Sequence, residues 1–134
     1  MKLVVAGTAD DGRAVVVRNE PIGDGAFETL WKLDELPPEV KRPVSTDRYE
    51  MGIKPGEGVW MVVRHAPNTS TDRHRTDAIS FSTILSGRIE LLLDDESVEL
   101  VAGDCLVLLG VMHGWKLGDE GATMIATALG LDPA

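Results

Sequence analysis

Two histidines, His74 and His113, stand near the two ends of one largely apolar stretch that closes at Trp115. An imidazole titrates near neutral pH, so one histidine can take a proton from a substrate while the other gives one back. The hydroxyl groups of Thr76 and Ser80 can donate hydrogen bonds to an oxyanion that develops beside them. This set predicts a dehydration, an isomerisation or a cyclisation, with His113 as the base and the tryptophan as an apolar wall.

Strand alternation decides which further side chains face the same pocket. On the strand that follows Gly58, one face carries Trp60, Val62 and Arg64, and the other carries residues 61, 63 and 65. We expect the first face to reach the pocket and His65 to be a surface residue at the strand end. The predicted substrate-binding side chains are Trp115, Trp60, Arg64 and Ser82.

Composition limits the class of protein. The chain has 134 residues, 43% hydrophobic and 26% charged, which is typical of one globular domain with a real core. A net charge of -9 counts against nucleic acid and anionic membranes as partners. No apolar run is long enough to span a bilayer, and the amino-terminal apolar run is too short for a signal peptide. With a single cysteine as well, we expect a cytoplasmic protein that binds a small molecule.

Short stretches rich in valine, isoleucine, leucine and threonine alternate with glycine and proline along the chain. Such a pattern predicts about nine or ten short strands in an all-β sandwich or barrel. Leu3 to Ala6 and Ala14 to Arg18 are predicted to pair across the turn Asp11-Gly12, and residues 27–33 alternate like a half-buried strand. Short connections favour antiparallel pairing, and a jelly-roll barrel closes such a sheet.

The spacing of the histidines and glycines resembles the motifs of the cupin superfamily. The first motif of that family has two histidines one residue apart, then a glutamate, then a glycine. The same positions here hold His74, Thr76, Ser80 and Gly87. The second motif corresponds to Gly103-Asp104, Gly110 and His113, with Leu117 where an asparagine is frequent. The resemblance implies a cupin-type jelly-roll β-barrel of antiparallel strands.

Residues 59–128 are similar to a narrower group of small single-domain bacterial and fungal cupins. Their typical segments correspond to His74-Arg75-Thr76, Ile79-Ser80-Phe81, Leu85-Ser86-Gly87 and Gly110 through Trp115. Ser80 replaces the aspartate that is usual in that group. The resemblance implies one domain over residues 1–134, with residues 59–130 as the barrel core. Residues 1–58 would supply amino-terminal strands and a connection that pack on the barrel or on the partner in a homodimer.

The resemblance also raises the question of a metal, because metal-binding cupins use three histidines and a carboxylate. Only His74 and His113 remain here, so zinc, iron, manganese or nickel could be held only weakly. Asp77 falls on the opposite face of the strand from His74, and Asp72 and Asp104 fall in predicted turns. A divalent metal therefore remains an open alternative as cofactor.

Three functions follow from these residues. The first is a small-molecule lyase or isomerase that works by acid–base chemistry, without metal or with a weakly bound one. The second is a metal-dependent dioxygenase, against which the missing second histidine and carboxylate count. The third is a barrel that binds a small molecule without catalysis.

Overall fold

Seven β-strands make up the regular structure of residues 1–32 and 53–133, the part of the chain that the computed structural model describes. No helix occurs in this part. The strands are β1 (Lys2–Thr8), β2 (Ala14–Pro21), β3 (Gly58–His65), β4 (Ala78–Leu92), β5 (Ser97–Val101), β6 (Cys105–Leu109) and β7 (Gly114–Gly130). The predicted connection at residues 34–48 lies outside the described residues.

The strands form one sheet in the order β2-β1-β6-β4-β7-β3, and β5 pairs with β4 beside this path. The long pair of β4 and β7 forms its centre. All pairings are antiparallel except that of β1 with β6, which is parallel. The prediction of purely antiparallel strands was therefore wrong at this pair. Short connections decide the direction of neighbouring strands, whereas β1 and β6 are far apart in the sequence and either direction was open.

Gly87 explains why there are fewer strands than predicted. The pairing of β4 with β7 shifts its register on both sides of Gly87, which has a φ of 80°. A Cβ atom there would overlap the carbonyl oxygen of Gly121. The glycine therefore forms a bulge within one strand rather than a turn between two. Residues 118–121 likewise lie within β7, so seven strands in the described part replace the expected nine or ten.

The amino-terminal hairpin is confirmed, because β1 and β2 pair across Asp11-Gly12. The strand predicted at residues 27–33 was wrong over its described part, residues 27–32, which contains no strand. Phe27 is 98% exposed. Within residues 1–32 and 53–133, no strand pairs with this alternating segment, and alternation alone does not make a strand.

The sheet buries apolar side chains in two clusters. One cluster contains Ile84, Leu100 and Trp115, and the other contains Leu3 and Val107. Successive residues of β1 enter different clusters, so this strand is buried on both faces. The amino-terminal strand is thus an integral part of the sheet that carries the site.

Candidate functional site

A cavity of about 350 Å³ is lined by β3, β4, β6 and β7 together with the segments that precede β4 and β7. This volume is at the small end of the range of small-molecule sites. The described residues that line it are Met61, Val63, His65, Thr71, His74, Thr76, Ala78, Ser80, Ser82, Leu108, Gly110, Val111, His113, Trp115, Met124, Ala126 and Ala128. Apolar side chains and a few hydrogen-bonding groups share this surface, as is usual for a ligand pocket.

His74 and His113 face each other across an isolated antiparallel bridge. The N–H of His74 donates to the carbonyl of His113 at 2.8 Å, and the return bond measures 2.9 Å. The two ring centroids are 4.5 Å apart. His113 is 6% exposed, whereas His74 is exposed to solvent where it lines the cavity. The backbone pairing therefore holds the two imidazoles side by side.

Both imidazoles are oriented by main-chain carbonyls. The Nδ1 of His74 lies 2.9 Å from the carbonyl oxygen of Asp72, and that of His113 lies 2.8 Å from the carbonyl oxygen of Val111. A carbonyl oxygen only accepts, so each Nδ1 carries the proton and donates it. In the neutral ring the lone pair is then on Nε2, which is the nitrogen available to act as a base.

Burial lowers the pKa of His113 below its ordinary value of 6.5, and the nearby charge of His74 lowers it further. The hydrogen bond to the carbonyl of Val111 opposes this shift because it favours the protonated ring. The net direction is downward, so His113 is neutral at neutral pH. A neutral imidazole is the form that accepts a proton.

These shifts predict how stability depends on pH. The pKa values of His113 and His65 are both lowered by burial, so below about pH 6.5 the unfolded chain binds more protons than the folded one. The free energy of unfolding should fall as the pH drops from about 6.5 towards the lowered pKa values. Above about pH 6.5 these two groups should add nothing to the slope of the free energy of unfolding with pH. Urea unfolding from about pH 7.5 to about pH 5 measures the slope. His113→Gln should flatten it, and equal slopes in the two proteins would contradict the pKa shift.

Two predicted substrate-binding residues do not reach the cavity. Trp60 is 76% exposed and lines a separate cavity of about 220 Å³. Arg64 is also exposed and lines neither cavity. The other face of β3, with Met61 and Val63, lines the site instead. The error has a simple cause: both faces of this strand alternate regularly, and only the pairing of β3 with β7 decides which face turns inward.

The remaining predicted side chains line the cavity together: His74, Thr76, Ser80, Ser82, His113 and Trp115. The segment before β4 fixes the backbone of Trp115, because the main-chain N–H of Trp115 donates to the Oγ1 of Thr71 at 3.0 Å. Its indole meets the ring of His113 edge-on at a centroid distance of 5.3 Å. The roles of these residues in binding and catalysis remain predictions.

His65 is the residue that sequence reasoning missed. It was expected at the surface, yet it is half-buried, lines the cavity and lies 5.6 Å from the indole of Trp115 between ring centroids. All three histidines of the chain therefore line one cavity. The sequence carries no local signal for it, since Met61 and Val63 on its face of β3 are matched by Trp60 and Val62 on the other face.

The Gly103-Asp104 pair of the second motif has a structural role. Asp104 is buried, and its carboxylate accepts from the N–H of Val101 at 2.8 Å and from that of Lys2 at 3.1 Å. It thereby joins the turn before β6 to the start of β1. Asp104 does not line the cavity.

The donor set does not fit the metal site of the metal-binding cupins. His74 and His113 supply two neighbouring Nε2 atoms, His65 does not form a cluster of three with them, and Ser80 supplies no negative charge. Within residues 1–32 and 53–133, no group of three or more histidine, cysteine, aspartate or glutamate side chains is arranged to hold a metal. Two imidazoles alone are a poor site for a tightly held ion.

Rebuilding the missing donors should create metal affinity. We expect Thr76→His with Ser80→Glu to bind Zn²⁺ or Ni²⁺ at least about tenfold more tightly than the unmodified chain, because both positions line the cavity beside the histidine pair. Competition against a chromogenic chelator measures this. The matched control places the same side chains outside the cavity, as Arg64→His with Ser86→Glu. A similar gain in the control would contradict the assignment.

Comparison with known proteins was made at the level of sequence and of structure. No protein-family model matches the chain. Phomopsin biosynthesis cluster proteins C' and D of Diaporthe leptostromiformis are each 38% identical to it over 63 residues. The alignment covers 46% of this chain and 33% of each relative. The matched part thus spans about a third of the length of these curated relatives.

A conserved protein of unknown function from Streptococcus pyogenes has a similar structure, with a TM-score of 0.50 and 18% identity over 60% of this chain and 71% of that chain. A cupin 2 conserved barrel domain protein from Salinispora arenicola gives 0.47 and 28% over 62% and 71%. A sugar phosphate isomerase from a cupin superfamily, from Silicibacter pomeroyi, gives 0.47 and 20% over 54% and 50%.

The strand topology and the motif spacing together define an all-β protein with a cupin-type jelly-roll barrel. The solved structures to which the chain is similar include proteins of the cupin superfamily and of the cupin 2 type. Among the described residues, no helix has the length and apolar character needed to cross a membrane.

Proposed function

We propose that the chain is a small-molecule lyase or isomerase in which His113 and His74 act as base and acid. The observation that carries this proposal is the bridge between the two residues. It places their rings 4.5 Å apart, with each Nδ1 bonded to a main-chain carbonyl, so that each Nε2 is the nitrogen that exchanges a proton with the substrate. Such an arrangement suits proton transfer at two neighbouring atoms of one substrate.

The reaction begins when the Nε2 of neutral His113 takes a proton from the carbon next to a carbonyl group. The C–H electron pair moves into an enolate, whose oxygen accepts hydrogen bonds from the hydroxyl groups of Thr76 and Ser80. His74 in its protonated form then gives a proton to a hydroxyl on the next carbon, which departs as water while the enolate collapses to a conjugated C=C bond. Solvent returns both histidines to their starting forms. In the isomerisation of an α-hydroxyketone, His74 instead protonates the enolate oxygen to form an enediol and takes the proton of the other hydroxyl, and His113 returns its proton to the former carbonyl carbon.

The apolar lining supports this chemistry. Trp115 and Val111 pack around His113 and are themselves 7% and 2% exposed. Exclusion of water strengthens the hydrogen bonds to a developing enolate and keeps the base neutral. The names of the fungal relatives refer to a biosynthesis cluster, which is in keeping with a small metabolite as substrate.

A non-catalytic binding barrel is the second candidate, and one observation favours it. His74, which the reaction needs as its acid, is exposed to solvent. A binding protein would use the same cavity and hydrogen-bonding groups without needing one neutral and one protonated histidine. A dioxygenase is less well supported, because the donor set lacks the carboxylate that such non-haem iron sites use.

Hydrogen–deuterium exchange separates the two candidates. The protein is incubated in D₂O with a panel of α- and β-hydroxyketones, and NMR follows loss of the proton beside the carbonyl together with formation of product. The proposal expects exchange in the unmodified protein and none above background in the variant His74→Ala with His113→Ala. Saturable binding of a panel member with no exchange would favour the binding barrel instead.

We also propose a cytoplasmic homodimer, and two features support it. The only cysteine, Cys105, is a free, buried thiol, as suits a reducing compartment. Val17 on the edge strand β2 is 57% exposed. Light scattering of the purified chain tests the dimer, and a monomeric mass at about 100 μM would rule out a stable one.

A further inference from the structure

His65 has an imidazole nitrogen without a partner. Its Nε2 is buried, and no hydrogen bond to it exists among the described residues. A buried polar atom of this kind lowers stability unless a ligand or water bonds to it. His65 lines the cavity through other atoms of its side chain, so a turn of the ring about its Cβ–Cγ bond brings this nitrogen to a molecule bound there.

The indole of Trp115 connects His65 with the proposed reaction centre. Its centroid lies 5.6 Å from that of His65 and 5.3 Å from that of His113. A ligand that contacts the indole therefore lies near both histidines. The flat, apolar indole suits an apolar middle part of the ligand, and the two imidazoles suit polar ends.

The described lining carries neutral hydrogen-bonding groups. Besides the imidazoles, these are the hydroxyls of Thr71, Thr76, Ser80 and Ser82. Burial lowers the pKa of His65, so its ring is uncharged at neutral pH. A carboxylate or phosphate beside His65 would lose its hydration without meeting a lysine or arginine side chain on the described lining, which is unfavourable.

We propose that His65 is the second anchor of the substrate, which is an uncharged molecule with a polar group at each end of an apolar middle. The reacting carbonyl lies at His113 and His74, the middle covers Trp115, and the far carbonyl, hydroxyl or amide bonds to the Nε2 of His65. The position of the reacting end rests on the proposed function, whereas the role of His65 rests on its unpartnered nitrogen.

Three probes of one shape test this proposal by NMR titration. Acetophenone has one polar end, 4-acetylbenzamide has two uncharged ends, and 4-acetylbenzoate has a charged second end. The amide should bind about fivefold or more tightly than acetophenone, because it adds one buried hydrogen bond. The acid should bind more weakly than the amide, since its carboxylate must lose water.

The variant His65→Phe keeps a ring beside Trp115 and removes the nitrogen. It should bind acetophenone as the unmodified protein does and lose the preference for the amide. Arg64→Gln, on the opposite face of the same strand, is the matched control and should keep the full preference. An amide preference that survives in His65→Phe, tighter binding of the acid, or no saturable binding of any probe would each overturn the proposal.

A measurement on the unmodified protein guards against a variant that fails to fold. The chain has three histidines, so long-range ¹H–¹⁵N spectra resolve each imidazole. Addition of 4-acetylbenzamide should shift the Nε2 signal of His65, and acetophenone should not. Equal shifts from both probes would contradict the anchor.

The same titrations separate this inference from the proposed function. Deuterium exchange at the acetyl methyl group reports on the base, whereas the amide preference reports on His65. Binding with the expected preference for the amide but without exchange would contradict the acid–base chemistry and support the role of His65 as an anchor. Exchange that depends on His113, without a preference for the amide, would support the acid–base chemistry and contradict the role of His65.

Discussion

His113→Gln should slow removal of the proton beside a substrate carbonyl by about 100-fold or more, because a positioned general base contributes about 10²–10⁴ to the rate. Glutamine keeps the polar character of the side chain and lacks a basic nitrogen. His74→Gln should slow exchange less and product formation more, since the proposed acid acts after the proton has been removed. NMR in D₂O measures both quantities on one sample.

The pH profile of this exchange gives a second view of the same residue. Burial lowers the pKa of His113, so the rate should hold as the pH falls to about 6.5 and decline only below that value. Arg64→Gln, outside the cavity, should leave both rate and profile unchanged. A rate in His113→Gln within about twofold of the unmodified protein would remove His113 from the mechanism.

Gly87→Ala should cause a large loss of stability, because two separate costs fall on the same position. The backbone there has a φ of 80°, which costs a residue with a Cβ about 1–2 kcal/mol. The new atom would also overlap the carbonyl oxygen of Gly121, and such overpacking adds about 1–3 kcal/mol. Urea unfolding should show a decrease of at least about 2 kcal/mol in the free energy of unfolding.

Gly12→Ala separates these two contributions. Gly12 has a φ of 88°, but no atom lies within 4 Å of the position that its Cβ would occupy. This variant should therefore lose about 1–2 kcal/mol, the conformational part alone. Equal losses in the two variants would mean that the close contact of β4 with β7 at Gly87 is not as tight as the structure shows.

The sequence was informative wherever spacing fixes geometry. His74 and His113 keep the distance from Gly87 and Gly110 that the motifs require, and the structure brings the two rings together. The hairpin at Asp11-Gly12 is equally local, because its turn chemistry lies within a few residues. The sheet itself followed from frequent turns and short apolar runs.

The sequence failed where tertiary pairing decides between equal alternatives. Both faces of β3 alternate regularly, so the choice of Trp60 and Arg64 over His65 had no local basis. Gly87 was recognised as either a turn or a bulge, and only the long partner strand β7 makes it a bulge. The parallel neighbour of β1 comes from more than ninety positions away and leaves no local signal.

The most direct test of acid–base catalysis by the histidine pair uses protein treated with chelator. The rate of deuterium exchange and the metal content are measured on the same sample. We expect an active hydroxyketone to exchange its proton at an undiminished rate when metal falls below about a tenth of an ion per chain, and we expect His113→Gln to abolish that exchange. Exchange that disappears with the chelator and returns with one divalent ion would contradict acid–base catalysis by the histidine pair, and would place a metal at the centre of the reaction.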